Sequence, residues 1–175
     1  MKKPIPIAAK VIIYQLLFIV VHYLYDWFPN SLTHFIGATD ESVFQHMKAV
    51  FFAYLLLNAI EYGLSHKAVL SKSRYFFSRL FGAMIMPLLM FIYFLAGAAL
   101  FIKIESIPLE ILFANLVLVA TSTSTFLLDS FIERSELPSS LKWTVTALFT
   151  LTALEMIIFN YRLPWFDIFA NPPGW

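Results

Sequence analysis

Apolar positions along the chain gather into five runs, each long enough to cross a hydrocarbon core and separated by short polar punctuation. A spanning helix needs about 20 mostly apolar residues for a core about 30 Å thick. The runs cover roughly residues 7–27, 41–65, 80–102, 108–132 and 141–161. Pro29 and Asn30 stop the first run, and Thr39 with Asp40 offers N-cap residues for the second. Pro87 inside the third predicts a kink, and Pro164 follows the fifth. The predicted fold is therefore all-α: one transmembrane domain, a five-helix bundle, with residues 164–175 as an outer segment. Met1-Lys2-Lys3 followed by apolar residues has the outline of a signal peptide. No clear small-residue cleavage site follows, so the run is read as a retained first helix.

The polar positions inside these runs are not scattered. Residues three, four or seven apart share one face of a helix. Gln15, His22 and Asp26 align on the first helix, and Glu41, Gln45 and Lys48 on the second, with Tyr62 and His66 continuing that face. Asn115, Ser122, Thr125 and Asp129 align on the fourth helix. On the fifth, Thr144, Thr152, Glu155 and Arg162 share about a quarter of the circumference at ~100° per residue. Thr146 and Thr150 fall on the opposite side, where their hydroxyls are expected to bond their own helix backbone. The third helix has no stripe; its Gly82, Ala83 and the 96–99 cluster read as close-packing positions. Polar groups facing lipid would stay unsatisfied, so the stripes are expected to face one another or to line a wet cavity.

Composition agrees with a membrane protein. Of 175 residues, 60% are hydrophobic and 13% charged, about half the charged share of a soluble domain. Nineteen Phe, eight Tyr and four Trp suit lipid-facing surfaces and interfacial belts. The chain has no cysteine, which excludes disulfides, thiolate catalysis and cysteine-bound metal. Lys and Arg set the orientation. With the N-terminus inside, Lys2, Lys3, Lys10, Lys67, Lys72, Arg74, Arg79, Arg134 and Lys142 are cytoplasmic, while only Lys103 and Arg162 lie outside. Asp26, Asp40, Glu41, Glu105, Glu110 and Asp167 lean to the outer face. The basic stretch 66–79 reads as a loop on an anionic inner leaflet, so no nucleic-acid partner is expected.

Three sets of ionisable residues carry candidate chemistry. Lys48 and Glu155 fall at comparable depth, and a charge at mid-membrane costs at least ~2.5–3.5 kcal/mol on insertion scales. Pairing would offset much of that, so the two are expected to meet in an outward-facing cavity. His22 and Asp26, four apart, have the spacing at which a carboxylate orients an imidazole. Zinc is conceivable on His22, Glu41 and His46. On a continuous second helix, however, His46 would point about 140° away from Glu41, and no HExxH spacing occurs. No metal and no cofactor is therefore expected. Asn58, Glu61 and Asp129 form a smaller inner group, read as solvated at the interface.

The segment Asp40-Glu41-Ser42-Val43-Phe44-Gln45-His46-Met47-Lys48 resembles a signature of a family of small uncharacterised prokaryotic membrane proteins. Its usual form reads Asn-Glu-Ser-Val/Ile-Trp-Glu-His-Leu-Lys, at the outer start of the second span. Glu41, Ser42, Val43, His46 and Lys48 match; Asp40, Phe44, Gln45 and Met47 depart, Gln45 replacing a carboxylate by an amide. The resemblance implies a multi-pass protein of a prokaryotic cytoplasmic membrane and singles out His46; it implies no reaction.

The leading expectation is an outward-facing cavity for a lipid-like or amphipathic small molecule, with membrane lipids as neighbours. Glu41, His46, Lys48 and Glu155 would supply acid–base chemistry. His22, Asp26, Gln45, Asn115, Ser122, Thr152 and Arg162 would line the binding site. No lipid-enzyme motif occurs, such as a Gly-x-Ser-x-Gly elbow or an Asp-rich prenyl-diphosphate box. A second expectation is a small proton-coupled transporter relaying through Lys48, Glu155 and His22. Five spans without internal repeats argue against self-sufficient alternating access, an objection that a homo-oligomer would circumvent. A third is a non-catalytic accessory or immunity-type protein whose stripes are interhelical glue.

Overall fold

In the computed structural model the backbone is helical wherever it is regular among the described residues, which are 5–65, 69, 71–100, 104 and 106–171. Lys2, Lys3, His66, Lys67, Lys103, Glu105 and the last four residues lie outside them. The helices are α1 (Ile7–His22), α2 (Leu24–Trp27), α3 (Ser31–Ile36), α4 (Val43–Ser65), α5 (Lys72–Leu100), α6 (Ile107–Arg134) and α7 (Ser139–Tyr161). A 3₁₀ turn follows at Asp167–Phe169. Four helices, α4 to α7, are long and apolar enough to cross a membrane; α1, with 16 residues, is apolar but shorter.

Four features differ from the sequence expectation. The first run is interrupted at Tyr23, although Tyr23 N–H still reaches Ile19 O and Trp27 N–H reaches Tyr23 O. Between the first two runs an unexpected helix, α3, is closed by a capping box. Asn30 Oδ1 accepts from Leu32 and Thr33 N–H, and Thr33 Oγ1 accepts from Asn30 N–H. The second span begins at Val43, with Ser42 as its cap in place of Thr39 and Asp40. Ser42 Oγ accepts from Gln45 N–H at 3.3 Å, and Asp40 Oδ1 fixes Ser42 by accepting its N–H at 2.8 Å. Glu41 is consequently not helical. The third span starts two turns earlier than its hydropathy suggests, at Lys72, and runs through Pro87 as one helix.

α4 is the centre of the bundle. α1 and α5 flank it, α6 packs on both α1 and α5, and α7 lies along α5. Ala49, Val50, Ala53 and Tyr54 of α4 are fully enclosed, while α7 exposes Leu148, Leu151, Leu154 and Ile158. α7 reaches α4 through long side chains, with Phe149 stacked on Phe51 and Phe159 edge-on to Phe44. The small residues of α5 act as expected. A Cβ on Gly82 would collide with the Tyr54 hydroxyl and the Asp129 carboxylate, and one on Gly97 with the Phe113 ring. Gly82→Ala is expected to lower stability by about 1–3 kcal/mol, because neither neighbour has room to retreat. A thermal melt in detergent measures it; Gly63→Ala, where an added Cβ meets no atom within 4 Å among the described residues, should cause no such loss.

The ends of the helices gather polar residues into two groups. Where α1 and α5 begin and α4 and α6 finish, a buried ionic network forms. Lys10 Nζ lies 2.5 Å from Glu61, and Arg79 reaches Glu61 (3.4 Å), Glu133 (3.1 Å) and Asp129 (3.7 Å). Tyr54 donates to Asp129 at 2.8 Å, Asn58 donates to Tyr54 O, and Arg79 lies over the Tyr75 ring at 4.3 Å. Lys10, Asn58, Glu61, Arg79 and Asp129 are all buried. The solvated reading of Asn58, Glu61 and Asp129 is thus corrected, and Lys10 and Arg79 belong to the bundle rather than to exposed flanks. The second group, at the opposite end, holds the candidate site.

Candidate functional site

Three elements meet where α1 ends and α4 begins. His22 is the last residue of α1, Glu41 belongs to the linker fixed by the Ser42 cap, and His46 lies one turn into α4. Freed from the helix, Glu41 turns back over α4, so the 140° separation expected from a helical wheel does not apply. One carboxylate oxygen lies 3.4 Å from His22 Nε2 and the other 3.4 Å from His46 Nε2. The two imidazoles are 4.8 Å apart at their centroids. Glu41 is held from outside as well: its N–H donates to Asn171 Oδ1 at 3.0 Å, and Phe169 docks beside that contact between Phe44 and Phe159. The segment after α7 is therefore packed against the start of α4 through residue 171.

The imidazoles are constrained unequally. His46 Nδ1 faces the Ser42 carbonyl oxygen at 2.9 Å. A carbonyl only accepts, so Nδ1 carries the proton and Nε2 turns its lone pair toward Glu41 in the neutral ring. His22 is buried between Phe18, Tyr23 and His46, and its Nδ1 meets no partner among the described residues. The His22 ring beside it lowers the Glu41 carboxyl from its ordinary value, outweighing the upward push of partial burial, with smaller help from the charge of His46.

These three residues form one end of a cavity of about 330 Å³ between α1, α5 and α6. Its walls are mainly apolar, contributed by Phe18, Met90, Phe94, Val117 and Leu118 among others, with Glu110 and Asn115 as further polar groups. Asn115 donates to Ile111 O at 2.8 Å, so its amide is half committed to its own helix. The half-committed amide, the carboxylates and the imidazoles give the cavity a polar end and an apolar body.

The remaining expected site residues lie elsewhere. Lys48 is fully buried but does not meet Glu155: its ammonium donates to Asn160 Oδ1 at 2.6 Å and to His34 O at 3.1 Å. Asn160 and Glu155 are five residues apart, about 140° around α7, so the face that serves Lys48 turns Glu155 away. Glu155 makes no ion pair among the described residues and is half-buried. The relay of Lys48, Glu155 and His22 is therefore not assembled. Gln45 is buried as a clamp, its Oε1 accepting from Thr39 N–H at 3.4 Å. Asp26 and Arg162 are exposed, so Asp26 does not orient His22. Ser122 and Thr125 bond the carbonyls of Val119 and Thr121, and Thr144, Thr146 and Thr150 bond those of Ser140, Lys142 and Thr146. Thr152 is half-buried and does not line the cavity. His34 and Asn160 escaped the sequence reading. The clue was present in the capping pattern Asn30-x-x-Thr33, which folds α3 back over α4 and α7.

Comparison with family models, with curated proteins and with solved structures finds no match.

Proposed function

We propose that this chain is a multi-pass protein of a cytoplasmic membrane, crossing it five times with the N-terminus inside. Its cavity takes up one lipid-like, amphipathic molecule from the outer side. The observation that carries this reading is the cavity's polarity: an apolar body between α1, α5 and α6 ends at His22, Glu41 and His46. Its volume of about 330 Å³ falls at the lower end of the ~300–1,000 Å³ of small-molecule sites, enough for one chain-bearing ligand. A hydrocarbon tail would fill the body and a polar head would reach the imidazoles and Glu41, with Glu110 also on the cavity wall.

The topology rests on two supports. α1 and α2 together run 21 residues from Ile7 to Trp27, about 31 Å at 1.5 Å per residue, which matches the hydrocarbon thickness. Lys and Arg are biased to the end of the bundle where α1 begins, which is the positive-inside pattern. That orientation puts the cavity's polar end outside. The stretch that resembles a prokaryotic membrane-protein signature, residues 40–48, is the one that carries Glu41 and His46. Acid–base chemistry on the bound molecule would rest on Glu41 and His46; Lys48 would hold α3 to α7 instead.

Thermal stabilisation by single-chain amphiphiles tests the reading. Wild-type protein in mild detergent is expected to melt at higher temperature with a matched lysolipid or fatty acid, by about 2.7 kcal/mol at a hundredfold excess over Kd. Ala114→Trp, which fills the cavity from α6, should abolish that response. An equal response in the Trp variant would contradict the assignment.

A further inference from the structure

We infer that His22, Glu41 and His46 form a binding site for one divalent transition-metal ion of the zinc type, at the polar end of the cavity. The inference deepens the reading above, because the ion would sit where the head of a bound amphiphile arrives.

The first ground is geometric. The ligating atoms of all three residues lie within 4.8 Å of one another. His22 Nε2 lies 3.4 Å from one carboxylate oxygen of Glu41 and His46 Nε2 lies 3.4 Å from the other. A tetrahedral zinc with bonds of about 2.1 Å to nitrogen and oxygen separates neighbouring ligands by about 3.4 Å. Because the whole set lies within 4.8 Å, reaching that spacing takes a closure of about 1.4 Å at most, a motion open to side chains at a helix end and in its first turn.

The second ground is independent of these distances. Because His46 Nδ1 is committed as a donor to the Ser42 carbonyl, the neutral ring presents only a lone pair to the Glu41 carboxylate. Two acceptors face each other across 3.4 Å, and a cation between them satisfies both. The Ser42 carbonyl is at the same time the outer partner that metal-bound imidazoles usually have, fixing tautomer and ring plane. The carbonyl itself is held in place, since it also accepts His46 N–H at 3.2 Å. His22 Nδ1 has no hydrogen-bond partner among the described residues, so no such bond fixes its tautomer and its Nε2 can serve as the ligand.

The third ground is the coordination number. Three protein ligands leave a fourth position, and the cavity lies on that side, with His22, Glu41 and His46 all on its wall. Closed structural zinc sites have four protein ligands, whereas sites that act on a bound molecule keep one position open. The donor set of two imidazoles and one carboxylate suits zinc and neighbouring first-row ions over magnesium or calcium, which prefer all-oxygen surroundings.

The test uses the full chain, purified in mild detergent, stripped with a chelator and titrated with Zn²⁺ alone and with Co²⁺ alone. The expected results are one ion per chain by elemental analysis and visible Co²⁺ bands of a low-coordinate nitrogen–oxygen site. Removing a ligand should cost more than the 10–100-fold typical of outer-sphere partners, so His22→Ala, His46→Gln and Glu41→Gln are each expected to weaken Zn²⁺ binding by more than about 100-fold. Metal-free melting temperatures identify variants that remain folded. Saturable binding that persists in both folded His variants, or no saturable binding by the wild type, would overturn the site. The cavity reading fails separately. Zn²⁺ bound by a wild type that no amphiphile stabilises would leave the metal site standing alone. Amphiphile binding by stripped protein that takes up no Zn²⁺ would remove the site and keep the cavity.

Discussion

Replacing Arg79 by Met should destabilise the protein more than any other single change at a polar position, by about 3–5 kcal/mol. Arg79 is 8% exposed and is the only cation that reaches three carboxylates among the described residues, those of Glu61, Asp129 and Glu133. Lys10 compensates Glu61 alone. Without the guanidinium, Asp129 keeps a single hydrogen bond, from Tyr54, and a second oxygen with no partner. A charge so stranded cannot turn to water. The size of the loss therefore reflects the carboxylates left behind rather than the net worth of the ion pairs, which desolvation reduces. That distinction is measurable. Adding Asp129→Asn to Arg79→Met should restore part of the stability, whereas two independent losses would add. Arg79→Lys should fall between, since one ammonium cannot span three acceptors as the planar fork does.

The second large effect is expected at Asn160. Its Oδ1 and the His34 carbonyl are the only acceptors of the buried Lys48 ammonium among the described residues. Asn160→Leu strands that charge against a single carbonyl, at a cost of about 2–4 kcal/mol. The same change frees α3, because Asn160 Nδ2 also donates to His34 O at 3.3 Å and lies 3.1 Å from His34 Nδ1. Lys48→Met combined with Asn160→Leu removes donor and acceptor together and should recover most of the loss. Glu155→Gln, by contrast, should shift stability by less than about 0.5 kcal/mol, the usual scale away from packed or paired features. Thermal or steric-trap unfolding of the four proteins decides between the two partners for Lys48.

The contrast between Asn160 and Glu155 shows where sequence reading works here and where it stops. Hydropathy located the four long helices within a few residues at most ends, because twenty apolar residues in a row have one economical structure. Small residues in α5 were legible for a similar reason: Gly82 and Ala83 stand out in a run of Leu, Met and Phe. Partners across helices were not legible. A helical wheel gives azimuth within one helix, and Lys48 could be matched with Glu155 only by depth. An uncharged amide one turn farther along α7 does not announce itself as a cation's partner.

Arg79 was hidden differently. It stands beside Lys72 and Arg74 in a basic stretch, so hydropathy assigned it to the loop, yet α5 begins at Lys72 and carries Arg79 two turns into the bundle. The network at that end was consequently read as an interface. Glu41 shows the cost of a two-residue error. Counted as helical, it faces away from His46; placed in the linker ahead of the Ser42 cap, it lies 3.4 Å from both His22 and His46. The Ser42-x-x-Gln45 spacing was the available signal for that boundary.

The measurement that tests the central claim most directly is an experimental structure of the protein in lipid, inspected for density between α1, α5 and α6. Elongated density is expected along Phe18, Met90, Phe94 and Leu118, ending within contact distance of His22, Glu41 and His46. A cavity collapsed by inward movement of α6, with Phe94 and Phe113 packed into its body, would contradict the account.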